Sequence, residues 1–276
     1  MLEQLKYKNH LNEVFEFGKD GIFVYANNLH DYEWTVVQNG NKISSFNHGV
    51  SSRTLPIVII CKTEAEGIAA RNKLHEVVEK DVLAMQHGQI IIGDYYFRCF
   101  VTASAKSNYL TSKRLMEVSL TLTTDYPLWV KESTFAFRKH GASDGTTGQD
   151  LDFYFDFPFD YSSGVGRASL NNTAFVGSNF RMHIYGACVN PTVFVDGHAY
   201  TVNCTVAENE YLTIDSLTKK IFVTHNSGET TNVFHCRDRE SYIFEKIPAG
   251  KNAISWSGEF GVDITIFEER SEPKWI

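Results

Sequence analysis

A mainly β protein of two domains is the fold this sequence predicts, and three observations carry the prediction. Aromatic residues fill 13% of the 276 positions, with 20 Phe and 13 Tyr, among short runs of Thr, Val and Ile. These are the residue types that suit a pleated, half-buried surface. Turn signals recur between those runs. One segment alone has convincing helical spacing, and a polar, Gly-rich stretch at residues 139–150 interrupts the pattern.

The elements follow in order. Residues 55–60 form an apolar run of strand length. Thr63-Glu64-Ala65-Glu66 is a capping box, in which Thr63 caps the first amides and Glu66 reaches back. The helix it starts is expected to run to about Val82. Ile68, Leu74, Val77, Val78 and Val82 share one broad face, and Glu66, Lys73, Glu76, Glu79 and Lys80 share the other. Residues 90–92 and 95–97 flank Gly93-Asp94, a two-residue hairpin link. Met116, Val118, Leu120 and Leu122 alternate with polar residues, which describes a half-buried strand. The first domain is therefore placed at 1–138, the linker at 139–150 and the second domain at 151–276. In the second, residues 193–195 and 199–202 flank Asp196-Gly197. Residues 211–215, 221–224, 242–244 and 262–267 read as further strands of a sandwich or jelly roll.

Residues 151–161 have a strict period of two. Leu151, Phe153, Phe155, Phe157, Phe159 and Tyr161 point one way, and Asp152, Tyr154, Asp156, Pro158 and Asp160 the other. Pro158 has no N–H, so this is no ordinary central strand. It reads as an aromatic strap laid along a sheet edge or between two parts of the protein. Phe153, Phe155, Phe157, Phe159 and Tyr161 form its structural edge. Such a strap suits an assembly part better than an enzyme pocket.

Chemistry is sparse. The net charge of −7 argues against a dedicated nucleic-acid binder. No apolar run approaches membrane-spanning length, and residues 1–12 lack the apolar core of a signal peptide. Cys61, Cys99, Cys188, Cys204 and Cys236 are odd in number, which suggests reduced thiols in the cytoplasm. Gly141-Ala142-Ser143-Asp144-Gly145 matches the nucleophile-elbow pattern but lies in the polar linker, without the strand and helix that give it meaning. Asp152, Asp156 and Asp160 fit no calcium loop and read as a solvated face. His235-Cys236 are adjacent, and no Cys-x-x-Cys pair marks a zinc site. Trp34, Trp129, Trp256 and Trp275 are candidates for sugar stacking, with packing as the default. No catalytic, metal or cofactor residue is assigned, and the chain reads as no enzyme.

Several segments together resemble the distal tail proteins of long-tailed phages, the Sipho-type tail component family. They are Thr54-Leu55-Pro56 with the capped helix to Asp81, and Asp125-Tyr126-Pro127-Leu128-Trp129-Val130-Lys131-Glu132. The Phe155–Tyr161 strap follows, with Tyr185-Gly186, Asn190-Pro191 and Glu210-Tyr211-Leu212-Thr213-Ile214-Asp215. Near the end come Phe244-Glu245-Lys246-Ile247-Pro248-Ala249-Gly250 and Asp263-Ile264-Thr265-Ile266-Phe267-Glu268-Glu269-Arg270. The resemblance covers essentially the whole chain. It implies an N-terminal β-sandwich-like ring domain with one helix and a β-hairpin, and a C-terminal galectin-like β-sandwich. It also implies a homohexameric ring at the virion tail tip, assembled in the host bacterium's cytoplasm. Its partners would be the tail tube protein, the tail-associated hub protein and a receptor-binding protein, with DNA passing through unbound. The alternative is a carbohydrate-binding module that attaches to the bacterial cell wall. It predicts Trp or Tyr clustered on one face of the second domain.

Overall fold

Short turns set the register of the strands, and the strands fix where the helix can lie. The computed structural model describes residues 5–19, 21–108, 112–139 and 166–275. The chain divides into two compact units, Met1–Lys131 with Glu269–Ile276, and Glu132–Glu268. The fold is mainly β, with one α-helix among the described residues. The strap (Phe153, Phe155, Phe157, Phe159, Tyr161), the carboxylates Asp152, Asp156 and Asp160, the pattern at 141–145 and the linker beyond Lys139 lie outside the described residues.

The first unit holds β1 (Leu5–Lys8), β2 (Val14–Glu16), β3 (Ile22–Val24), β4 (Thr35–Asn39), β5 (Lys42–Asn47) and β6 (Ser51–Ile60). Then come α1 (Glu64–Ala84), β7 (Gly88–Ile92), β8 (Tyr95–Ser107), β9 (Leu115–Thr124) and the start of β10 (Trp129–Phe137). One antiparallel sheet runs β2-β1-β7-β8 and the other β3-β6-β9-β8. Strand β8 belongs to both. Residues up to Cys99 pair with β7, those from Phe100 pair with β9, and the register shifts between Val101 and Ala103. A bulge bends a strand, which lets one strand serve two sheets. The Gly93-Asp94 hairpin forms as expected, with Ile92 opposite Tyr95 and Gly93 at φ 56°.

The capping box forms: Thr63 Oγ1 accepts from the Glu66 amide at 3.2 Å, and the Glu66 carboxylate accepts from the Thr63 amide at 3.2 Å. The buried stripe of α1 is narrower than the spacing predicts. It runs through Gly67, Ala70, Leu74, Val77, Val78 and Asp81, which leaves Ile68 and Val82 exposed at its edges. Gly67 sets this rotation, because a Cβ there would collide with the Lys113 carbonyl. Asp81, on the same stripe, has no exposed surface. Its carboxylate accepts from the Tyr7 hydroxyl at 2.5 Å and the His10 amide at 2.9 Å, and meets His10 Nδ1 at 2.6 Å. Burial first, and then the bond to Asp81, push the Tyr7 hydroxyl far above its usual range.

The second unit holds the rest of β10, then β11 (Gly166–Asn172), β12 (Asn179–Tyr185), β13 (Cys188–Val189), β14 (Thr192–Val195), β15 (His198–Thr201) and β16 (Thr205–Val206). It continues with β17 (Tyr211–Asp215), β18 (Lys220–Thr224), β19 (Thr230–Asn232), β20 (Gly250–Trp256) and β21 (Val262–Arg270), the last crossing into the first unit after Glu268. The sheets β19-β18-β17-β12-β21 and β11-β20-β14-β15 bury one shared core. Phe180, Met182, Leu212 and Ile264 come from the first, and Leu170, Val193, Ile254 and Trp256 from the second, which makes a β-sandwich. Asp196 and Gly197 both have positive φ, 46° and 82°, the mirror-image turn read from the sequence. Residues 242–244, expected as a strand, form a turn instead. The Glu245 amide donates to the Tyr242 carbonyl at 3.0 Å, and Ile243 and Phe244 are buried in succession, where a half-buried strand would alternate.

His183 on β12 sets an acid limit on this sandwich. Its Nδ1 meets Thr213 Oγ1 at 3.0 Å, and burial first, then the Arg181 charge, hold its pKa below 6.5. The unfolded chain therefore binds the proton more readily than the folded one. The contribution of neutral His183 is complete above the unfolded value of about 6.5 and is lost as pH falls through the lower folded value. Calorimetry should show the unfolding temperature falling as the buffer is acidified below neutrality. His183→Gln, which keeps a partner for Thr213, should flatten that fall. An unchanged acid limb in the variant would show that His183 is not its source.

All five cysteines are free thiols. Cys99 is fully buried and its pKa is pushed up to about 12, and that of Cys188 is pushed up to about 11, by burial foremost in both. A thiol reacts as its thiolate, so Cys99 should stay silent toward a disulfide reagent in the native protein and react once denaturant is added. Titration with and without denaturant checks this. A Cys99 that labels at the rate of a surface thiol would contradict the burial.

Candidate assembly surface

A hairpin in a sandwich normally lays one face on a sheet. β4 and β5 pair with each other and with no other described strand, and every residue in both is exposed. Gly40, at φ 60°, and Asn41 form the link, with Asn39 opposite Lys42. The asparagine-glycine signal at Asn39-Gly40, between Val36-Val37 and Ile43, could have located this hairpin in the sequence. The resemblance implied a hairpin in this domain without fixing its residues.

The approach to the hairpin is rigid. The Leu29 carbonyl accepts from two buried donors, the Arg53 guanidinium and the Trp129 indole N–H, the latter at 3.3 Å. Arg53 also lies 4.3 Å from the Phe97 ring centre, and burial pushes its pKa down to about 10 against the opposing pull of Asp31. Asn28 accepts from the Thr54 amide at 2.8 Å, which ties the incoming chain to β6. The hairpin therefore starts from a fixed point on the core.

Its side chains form an aromatic strip. Val36 lies opposite Phe46, Trp34 meets Phe46 edge-on at 6.4 Å, and the Trp34 and His48 rings are 3.8 Å apart. Burial foremost, and then the Arg53 charge, lower the pKa of His48. Trp34 is 42% exposed, Phe46 54%, Ile43 59% and Val50 75%. A contiguous apolar strip of this kind on a projecting element marks an interaction surface.

The other tryptophans behave differently. Trp129 and Trp256 are core residues, and Trp275 stacks on His30 at 4.1 Å. Of the four read as sugar-stacking candidates, none is exposed in the second unit. That unit does place Tyr185 and Tyr211 on one sheet face, with ring centres 6.1 Å apart and the His183 ring 5.4 Å from Tyr211. Among the described residues no group of three or more His, Cys, Asp or Glu is placed to hold a metal. No described helix is long and apolar enough to cross a membrane.

No family model and no curated protein matches the sequence. Solved structures do match the fold. A chain from the phage P2 baseplate in its activated conformation with calcium superimposes with a TM-score of 0.64 at 11% identity, over 99% of this chain and 100% of that one. The strontium form of the phage p2 baseplate gives the same values. The SPP1 Dit protein (gp 19.1), described as a paradigm of the hub adsorption apparatus in phages infecting Gram-positive hosts, gives 0.58 at 9% identity, over 98% of this chain and 99% of that one. At these identities the likeness is one of fold, and over its whole length the chain has the fold of the phage Dit hub protein.

Proposed function

We propose that this chain is a structural, non-enzymatic protein of a phage tail tip, forming a homohexameric ring between the tail tube protein and the tail-associated hub protein. The observation that carries the reading is end-to-end likeness, 99% and 100% of the two chains, to a protein of a phage baseplate. A match of that extent concerns a whole architecture rather than one common β-sandwich. The exposed hairpin β4–β5 supports self-association, because a ring closes head-to-tail through two different surfaces on each copy. The hairpin would supply one of them. A receptor-binding protein would dock on the second unit. DNA would pass through the ring without specific binding, in keeping with a net charge of −7. The setting is the virion tail tip, assembled in the cytoplasm of the host bacterium. Light scattering over a concentration series, with negative-stain microscopy, tests the ring. A strict monomer at high concentration, with no ring in tail preparations, would overturn it.

A second reading, a module that binds cell-wall carbohydrate, is favoured by the clustered Tyr185, Tyr211 and His183. Sedimentation of the purified protein with isolated cell walls separates the two. Binding lost on Tyr185→Ala would support this reading.

A further inference from the structure

The second unit contains a cleft whose chemistry the ring does not use. It has a volume of about 560 Å³ and lies between the tip of the β17–β18 hairpin and residues 234–244. Phe234 and Phe244 lie nearly parallel, at 20° with centres 6.0 Å apart, and Tyr242 stands edge-on to Phe244 at 6.0 Å. Ile243 and Phe244 are buried, while Phe234 and Tyr242 remain open to solvent. Two cations lie over these rings, and a third lines the cleft beside them. Lys219, held at φ 56° at the hairpin tip, puts its ammonium 5.5 Å from the Tyr242 centre and 5.2 Å from the Phe244 centre. The Arg237 guanidinium lies 4.0 Å over Phe234, and its Nη1 donates to the Phe234 carbonyl at 2.9 Å. Arg239 completes the rim.

Among the described residues, none of the three cations has a carboxylate within ion-pair distance. That is notable in a chain of net charge −7, where carboxylates outnumber cations by 33 to 26. Asp238 turns inward to its own loop, its Oδ1 accepting from the Arg239 and Glu240 amides at 2.7 and 3.3 Å. The rings hold Lys219 and Arg237 by their negative faces, and leave the outward side of each charge for a second partner.

We infer that this cleft docks an acidic, aromatic-containing peptide segment of a partner protein. The fit is one of charge and shape. Carboxylates spaced along an extended segment match cations spaced around a cleft, and an aromatic side chain fits against Phe234 and Tyr242. A dense anion such as phosphate fits less well. The cleft offers ring faces rather than the convergent backbone amides that cradle a compact phosphate. The inference goes beyond the ring and stands whether or not the ring forms.

Fluorescence anisotropy of the full chain with a short labelled peptide, one Phe flanked by Asp residues, tests it. Binding should saturate in the micromolar range and weaken with added salt. Lys219→Gln and Arg237→Gln should each weaken it roughly tenfold, as loss of one charge pair does at an interface. Replacing the peptide's Asp by Asn, or its Phe by Ser, should weaken it as well. Lys219 is exposed at a hairpin tip, so its variant keeps the fold, which circular dichroism checks. No saturation at millimolar protein, or affinity unchanged in both variants, would overturn the proposal. So would inorganic polyphosphate binding more tightly than the peptide. Light scattering of the same samples reads the ring separately, so failure of one reading is distinguishable from failure of the other.

Discussion

On the proposed ring, Trp34→Ser combined with Phe46→Ser should leave a folded chain that no longer assembles. Phe46 stands on the hairpin and Trp34 just before it, and both are already exposed, so the monomer loses little burial. What it loses is their edge-on contact and the ring contact of Trp34 with His48, aromatic pairs worth about 0.5–1.5 kcal/mol each. An interface loses far more. Buried aromatic anchors at protein contacts typically contribute about 2 kcal/mol or more each, and a cyclic assembly repeats the deficit at every contact. Circular dichroism and the unfolding temperature should therefore stay close to the parent values while light scattering reports monomers. Rings that persist in the double variant would show that the hairpin is not the contact surface. Variants of Ile68 and Val82, which leave α1 exposed at the edges of its buried stripe, would then be the next to try.

Asp81→Ala will have the largest effect on stability. The side chain has no exposure and holds Tyr7 and His10, 74 and 71 residues away in sequence. Its removal leaves the Tyr7 hydroxyl and the His10 amide without their acceptor. Leaving a buried neutral donor unsatisfied costs about 1–3 kcal/mol, and this variant strands two. That is a large share of the roughly 5–15 kcal/mol by which domains are stable. The neighbouring Gly88 provides an independent check. A Cβ there would run into the Asp81 carboxylate and the Tyr7 hydroxyl, so Gly88→Ala should damage the same contact without deleting either group. Urea titration measures both. A loss below about 1 kcal/mol for Asp81→Ala, the scale of an ordinary hydrogen bond, would mean that water replaces the missing carboxylate.

The features legible in the sequence are those decided within a few residues. The capping box at Thr63 and Glu66 and the turns at Gly93 and Gly197 depend on local chemistry, and each stands where the residues place it. Features decided by distant partners were not legible. Asp81 reads as the polar end of an amphipathic helix, and only Tyr7 and His10 make it a core residue. Ile68 and Val82 fit the helical face, but Gly67 turns the helix so that both fall at its rim. Consecutive burial at Ile243 and Phe244 is a loop packing into a core, which strand spacing does not encode. At the assembly surface, Val36, Ile43 and Phe46 look like ordinary strand residues, and their exposure follows from the hairpin having no sheet to lie on.

The first unit is discontinuous in sequence, and this governs the order in which it can be completed. The Tyr126 hydroxyl donates to Glu269, and His30 stacks on Trp275. Both partners belong to a segment that the ribosome makes only after the entire second unit. A nascent chain paused within residues 132–268 therefore carries a first unit without its closing segment, while the second sandwich is still emerging. A chain truncated at any point in that span is left in the same state. The first unit thus gains the partners of Tyr126 and His30 only from a segment that follows the second unit in the chain, whatever the order in which the two units fold.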